Sequence, residues 1–431
     1  MTQSFESASS KVIAQITRTY DPVFDAREPH QLANPMHSEC SISPPPQGYV
    51  WEQYVFEGSI GRHSFKTLLQ IVRPIDPALA SRVAVLEPWH RAGYWTLYSK
   101  VQRYLAREHH IAAVVVANPK VLESFIKPAN PGRFDDLFLP ELENTDSEVM
   151  AQAGALIKSG ALQGVSPRTV VLGGQSTEGY WVRRYIQQEH GRASFRGGSV
   201  FDGYYPAQSA LSSPRGMISD LDVPVVEVQG ESELVRSIAK PGSGADYRRD
   251  DAELYRLYEV PGMPHVCTRR GASAERLLTM QCECSNWSDF PLFEIHHVCL
   301  DNLIAWVDRA IPATTAPRIE TRDNDRVIVR DEHGNARGGL RTSYFEVPTA
   351  TIHATCGPTP EDFSGDRCDF LAWEEPFDNT TLTSLYSTHA EYVTRVNRVL
   401  DELVARRWYL ETDARDLREE AVGFDWEQRT R

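Results

Sequence analysis

Val170-Val171-Leu172-Gly173-Gly174-Gln175-Ser176-Thr177-Glu178-Gly179 is an apolar run that stops at two glycines and reaches a serine one residue further on. Trp181, Val182, Tyr185 and Ile186 then recur at helical spacing. The pattern predicts a strand, a sharp turn and a helix, with Ser176 on the turn. The neighbours of so tight a turn must be small, which accounts for the glycines. The turn lifts the serine hydroxyl above the strand end, at the positive end of the next helix. A serine held in this way is a candidate nucleophile. One departure stands out: two positions after the serine there is Glu178 where a small residue is usual, and Gly179 comes one later. A bulky residue there predicts a more open turn.

Working outward, the flanking sequence alternates strand and helix. Tyr49 to Phe56 and Phe65 to Val72 read as a β-hairpin around Gly61-Arg62-His63. Arg82 to Pro88 is a third, more apolar strand. Tyr94, Leu97, Tyr98, Val101, Tyr104 and Leu105 share one helical face. Ile111 to Val116, Val170 to Leu172, Ser199 to Asp202, Val223 to Val228 and Tyr255 to Val260 follow as strands, with a helix at Met150 to Leu162 and one containing Val298, Leu300, Leu303, Ile304 and Val307. Two antiparallel strands followed by βα units predict an α/β fold with a mostly parallel sheet covered by helices on both faces. Ligands on such sheets bind beyond the carboxyl ends of the strands. Ser176, Asp202, Glu233 and His265 each follow a strand in this reading, so all four are expected at one edge.

Three parts are expected: an irregular N-terminal arm at 1–48, a catalytic domain at 49–311 and a C-terminal extension at 312–431 packed on it. Pro119 to Asp146 carries Phe125, Phe134, Leu137, Phe138 and Leu139 and reads as a lid.

A chain of 431 residues can bury a large core. Its formal charge of −14 argues against nucleic acid or an anionic membrane as partner. No apolar run approaches the ~20 residues that span a bilayer. Met1 to Lys11 is polar and lacks a secretory core, so the chain reads as soluble and cytoplasmic. Seven cysteines fit that reading as reduced thiols. His265, Cys267, Cys282, Cys284, His296, His297 and Cys299 could be drawn as a zinc site, but paired Cys-x-x-Cys spacing is missing. Buried thiols or one disulfide are the better reading, and neither metal nor cofactor is expected.

A serine hydroxyl needs a base to take its proton. His265 ends the run Tyr258-Glu259-Val260-Pro261-Gly262-Met263-Pro264-His265, after the last strand. The base in turn needs an acid to set its tautomer. Gln229-Gly230-Glu231-Ser232-Glu233 offers Glu233, three residues after the glycine, with Glu231 and Asp202 as rivals. The oxyanion needs two backbone donors. Thr177 follows the nucleophile, and the loop after the third strand supplies Trp89 or His90. Trp89 could also wall the acyl pocket or pack as an ordinary aromatic.

These pieces carry a resemblance. Glu87-Pro88, Gly174-Gln175-Ser176, Val223-Pro224-Val225 with Glu231-Ser232-Glu233, and Gly262-Met263-Pro264-His265 are similar to the alpha/beta hydrolase domain family of larger bacterial and fungal members. So are Asp331-Glu332-His333-Gly334-Asn335-Ala336-Arg337-Gly338-Gly339-Leu340-Arg341, Val347-Pro348, Leu385-Tyr386 and Tyr392-Val393 of the extension. The likeness covers roughly residues 49 to 425. A polar residue two after the nucleophile resembles the family's own habit. The resemblance implies an α/β-hydrolase fold and a serine hydrolase, without naming a substrate.

The resulting expectation is cleavage of a carboxylic ester, or a lactone, of a small molecule through an acyl-enzyme. Acyl transfer by the same triad and a catalytically silent binding protein are the alternatives. Arg337 and Arg341 could hold a substrate carboxylate, although locking the extension in place is the plainer role.

Overall fold

The computed structural model describes residues 45–90, 95–162, 164–210, 217–239, 245–267, 269, 282, 284–356 and 367–425, with strand backbone at 3–4 and 17–20. The rest of the expected N-terminal arm, and Arg91 to Gly93 of the expected oxyanion loop, lie outside the described residues.

Strands β1 (Thr17–Tyr20), β2 (Tyr49–Ile60) and β3 (His63–Pro74) are antiparallel. The β2–β3 hairpin pairs Ile60 with His63 across the Gly61-Arg62 tip. Next come β4 (Val83–Pro88), helix α1 (Thr96–Arg107), β5 (Ile111–Val115), α2 (Thr145–Ser159), β6 (Thr169–Gln175), α3 (Thr177–Gln188) and β7 (Gly203–Ala207). Along the sheet the order is β7-β6-β4-β5-β3-β2-β1. The β7–β6, β6–β4 and β4–β5 pairs are parallel, and β5 meets β3 antiparallel. Every residue of β4, β5 and β6 is buried, as expected for strands with both faces covered. Helix α1 buries Leu97, Tyr98, Val101, Tyr104 and Leu105, and α3 buries Trp181, Val182, Tyr185 and Ile186. These are the faces that the helical spacing picks out.

Two readings shift. The strand expected at 199–202 runs instead over Gly203–Ala207, so Asp202 precedes a strand. The lid segment is not loose. Lys66 and Phe138 exchange both backbone hydrogen bonds, at 2.9 and 2.8 Å, and Arg133 donates to Gln53 Oε1 at 2.7 Å. Phe134, Leu137 and Leu139 are buried. Leu69 pairs with Val115, so Lys66 lies past the carboxyl end of β5. The segment is therefore docked along the edge on which Ser176 stands.

The chain forms two compact units. Unit 1 is Met1–Pro214, Ile218–Val225 and Leu303–Ile311; unit 2 is Arg215–Met217, Val226–Asn302 and Pro312–Arg431. The expected boundary at 311 thus does not isolate the extension, because residues 226–302 group with it. Unit 2 contains β8 (Val225–Gly230) from its second residue and the neighbouring β9 (Tyr255–Val260), with α4 (Glu231–Ala239) directly after β8. The extension adds α5 (Ser343–Glu346), the hairpin β10 (Ala350–His353) and β11 (Trp373–Pro376), and helices α6 (His389–Ala405) and α7 (Glu411–Val422).

The glycine-rich motif of the extension has a physical explanation within unit 2. Glu259, at the end of β9, takes Ile319 N–H at 2.9 Å and Arg248 Nε at 2.7 Å on its side chain, and Leu340 N–H at 2.7 Å on its carbonyl. Gly339 has φ +73°, and a Cβ there would lie 2.7 Å from that same carbonyl. Only glycine combines that backbone with that approach. Asn335 is fully buried; its amide donates to Ala350 O at 3.1 Å and accepts from Ile352 N at 2.9 Å, sewing the turn to β10.

Candidate active site

Ser176 lies between β6 and α3 with φ 65° and ψ −120°. A non-glycine residue in that region is strained, and it persists only because its surroundings over-determine it. Here Ser176 N–H donates to Ala207 O of β7 at 3.0 Å, and Tyr180 N–H donates to Ser176 O at 3.0 Å. The departure at Glu178 resolves locally. Gly179 is the residue that meets β7, where a Cβ would lie 2.6 Å from Ala207 O. Glu178 is instead fully buried, with its carboxyl toward Thr96 N–H. Thr177 opens α3, where a backbone N–H has no intrahelical acceptor, so it suits an oxyanion.

Trp89 does not fit either role considered for it. Its N–H donates to Val115 O at 2.8 Å and so belongs to the sheet. Its ring is buried edge-on against Trp95, which packs in turn on Trp51 and Tyr98. It is a core aromatic. Of the two loop residues considered, His90 is left as the candidate donor.

In unit 2, His265 and Glu233 meet. His265 Nδ1 lies 2.7 Å from Glu233 Oε1. The other carboxylate oxygen accepts Gly230 N–H and Ser232 Oγ, each at 3.0 Å. Burial pushes the Glu233 carboxyl up, but the hydrogen bond and charge of His265, with Arg236 and Ser232, outweigh it and hold it below its ordinary value. With this carboxylate on Nδ1, Nε2 is the nitrogen through which the imidazole can exchange a proton.

The rival acids are engaged elsewhere. Glu231 accepts Gly262 N–H at 2.7 Å and Arg330 at 2.8 Å, fastening the turn that precedes His265. Asp202 pairs with Lys158 at 2.7 Å and accepts Val170 N–H at 2.7 Å. Val170 lies near the start of β6 (Thr169–Gln175) and Ser176 directly follows its end, so about 20 Å of strand separates Asp202 from Ser176, at the opposite edge of the sheet. Asp202 and Ser176 therefore do not share an edge, against the expectation.

The two arginines of the motif serve the extension. Arg341 donates to Ala336 O at 2.7 Å, to Phe345 O and to Glu346 at 2.6 Å. Arg337 is exposed near Glu320, at 3.4 Å. The arginine that does reach a loop of the site is Arg330. Two further neighbours of the histidine escape sequence reasoning. The Phe370 ring lies tilted by 35° against His265 with centroids 4.6 Å apart, and Arg236 lies 4.4 Å above Phe370. The three-residue step from Glu233 to Arg236 on one helix is a legible signal; Phe370 has none.

Cysteines explain how Phe370 gets there. Cys282 bonds Cys368, and Cys284 bonds Cys356, giving two disulfides where thiols or one disulfide were expected. Val266 N–H then donates to Phe370 O at 2.9 Å. Cys267 and Cys299 are buried thiols, and His297 pairs with Asp413 at 2.8 Å. The cluster drawn as a zinc site is therefore dispersed, and no group of three ligand residues assembles among the described residues. Nor is any described helix long and apolar enough to cross a membrane.

Solved structures that match part of this chain include a dienelactone hydrolase from Anabaena variabilis (14% identity, 54% of this chain and 95% of that one, TM-score 0.30). A thermostable esterase from Pseudomonas putida (11%, 48% and 74%, 0.31) and a bacterial brefeldin A esterase (10%, 50% and 73%, 0.30) are others. A search of curated proteins returns no match. The family model described as alpha/beta hydrolase domain matches residues 48–419, which takes in both units and most of the extension. The strand order, the helices and that match agree: this chain belongs to the alpha/beta hydrolase domain family and has its fold.

Proposed function

We propose that the protein is a serine hydrolase that cleaves a carboxylic ester or lactone of a small molecule. The observation that carries this reading is the strained backbone of Ser176 on its strand–helix turn. The His265–Glu233 pair supports it.

Ser176 Oγ attacks the carbonyl carbon while His265 Nε2 takes its proton. The carbonyl π electrons move to oxygen, and the backbone N–H groups of Thr177 and His90 hold the oxyanion. The tetrahedral intermediate collapses, and the imidazolium returns the proton to the departing alkoxide. Water, deprotonated by the same imidazole, then releases the acid. Glu233 stays ionised throughout and fixes the tautomer. Acyl transfer to a small alcohol needs only a different second nucleophile. The test is a fluorophosphonate probe followed by peptide mass analysis, with a panel of short-chain esters and lactones. Labelling at Ser176 and turnover of at least one panel member are expected. A probe that labels another residue, or none, overturns the reading.

A further inference from the structure

Glu178 and Glu87 are two carboxylates buried behind the candidate nucleophile, and both are spent on one helix end. Helix α1 begins at Thr96, and its N-cap, Trp95, offers no side-chain cap. Its first N–H groups go to the two acids. Thr96 N–H points to Glu178 Oε1 at 3.4 Å, Leu97 N–H to Glu87 Oε2 at 3.0 Å, and Tyr98 N–H to Glu87 Oε1 at 3.2 Å. Thr96 Oγ1 donates to Gln175 O at 2.9 Å, the residue before Ser176. His90 lies three residues after Glu87 of β4, and α1 starts at Thr96. The described chain on both sides of residues 91–94 thus meets the same acid pair, one member of which rides on the nucleophile's own helix.

We propose that Glu178 is a positioning residue that, as a neutral carboxylic acid beside Glu87, holds the His90 loop in register with Ser176. This rests on Ser176 being the nucleophile. Glu178 Oε2 is buried, makes no hydrogen bond, and lies 3.9 Å from His90 Nε2. An ionised oxygen left in that state would be costly, whereas a protonated one is tolerable. One helix N-terminus supplies roughly half a unit of positive charge, too little for two carboxylates. The surrounding groups are Glu87 from β4, Lys100 and Tyr98 from α1, and His90 from the loop. Lys100 is buried and near Thr96 O. Burial, then the charge of Glu87, pushes Glu178 well up; burial pushes Glu87 up to about 8 against the Tyr98 and Leu97 N–H groups and Lys100. The pair titrates as a unit. It carries little negative charge at neutral pH and gains charge above about pH 8, which splits the clamp and sets a negative field behind the oxyanion pocket.

The experiment uses the full chain. It compares wild type, Glu178→Gln and Glu178→Ala by kcat and KM on p-nitrophenyl acetate from pH 6 to 10, by fluorophosphonate labelling, and by thermal unfolding across the same range. Wild-type kcat falls above about pH 8. The Gln variant, which keeps the shape and Glu87 but cannot take on the second charge, stays within about threefold of wild type at pH 7, and its alkaline decline is shallower because one of the two titrating groups is gone. The Ala variant loses about tenfold or more in kcat with KM within about twofold, the scale of a misplaced oxyanion loop. Wild type also loses thermal stability towards pH 9 more steeply than the Gln variant, because an acid raised on folding contributes stability only while protonated. A Gln variant as impaired as Ala at pH 7, or one with the wild-type alkaline limb and the wild-type Tm slope, overturns the proposal. Should the Ala variant fail to fold, the Gln comparison still decides. Failure of wild type to label at Ser176 counts against the hydrolase reading instead, and the Tm slopes then judge the clamp separately.

Discussion

Glu233 reaches His265 Nδ1 with one oxygen at 2.7 Å and the Gly230 and Ser232 donors with the other, while Glu231, two residues away, faces Gly262 and Arg330. Two residues thus separate the proposed orienting acid from a structural one. Glu233→Gln is expected to lower kcat by about 10³–10⁴-fold, the cost of a wrong tautomer. Glu231→Gln is expected to cost less than about tenfold but to lower Tm, and Asp202→Asn to leave activity near wild type. Ester kinetics on the three variants check this; a largest loss at Asp202 would overturn the assignment. Glu233 is held below its ordinary 4.5, so its stability contribution is present above that value and lost as pH falls through the lower folded one. The wild-type advantage in Tm over Glu233→Gln therefore shrinks on acidification from pH 7 to 3.

Ser176 stores backbone strain. Ser176→Gly is expected to abolish probe labelling yet raise stability by about 1 kcal/mol, since glycine adopts φ 65° without the Cβ penalty. Ser176→Ala also ends labelling, but keeps the strain. Thermal unfolding of both separates the effects, and a glycine variant less stable than the alanine one contradicts the strain.

Arg341 and Asn335 hold the extension together. Arg341→Ala should lower Tm with KM for an anionic ester within about twofold, because its donors are spent on Ala336, Phe345 and Glu346. Asn335→Ala leaves Ala350 O and Ile352 N–H buried without their amide, at about 2–4 kcal/mol in total. Denaturant melts and substrate kinetics read the two. A KM raised tenfold or more in Arg341→Ala would restore the arginine to substrate binding.

The disulfides Cys282–Cys368 and Cys284–Cys356 close long loops, each contributing about 2–4 kcal/mol. Reductant is expected to lower Tm and, by releasing Phe370 from His265, to lower ester turnover. Masses of non-reduced peptides check the pairing. Tm and activity indifferent to reductant would exclude a stabilising role.

Truncation before Pro312 removes much of unit 2 and leaves Val226–Asn302, with Glu233 and His265, without Glu259's partners Ile319 and Leu340. Insoluble or non-cooperatively unfolding protein is expected from residues 1–311. A soluble and fully active fragment would contradict it.

Local pattern was enough for several features. The apolar run, two glycines and helical spacing around Ser176 specify strand, turn and helix, because backbone sterics and burial period act over a few residues. The faces of α1 and α3 and the β2–β3 hairpin follow from the same rules. The sequence named three carboxylates for one histidine, and spacing could only rank them. Their separation depends on where strand ends fall: β7 begins after Asp202, a shift of a few residues that moves it to the opposite edge. Trp89 looked like a loop residue and is sheet and core, because one hydrogen bond to Val115 extends the ladder beyond Pro88. Phe370 on His265, the disulfides and the Glu178–Glu87 clamp join residues far apart in the chain. Such contacts depend on how elements pack in space, which no short-range propensity encodes and only the tertiary structure decides.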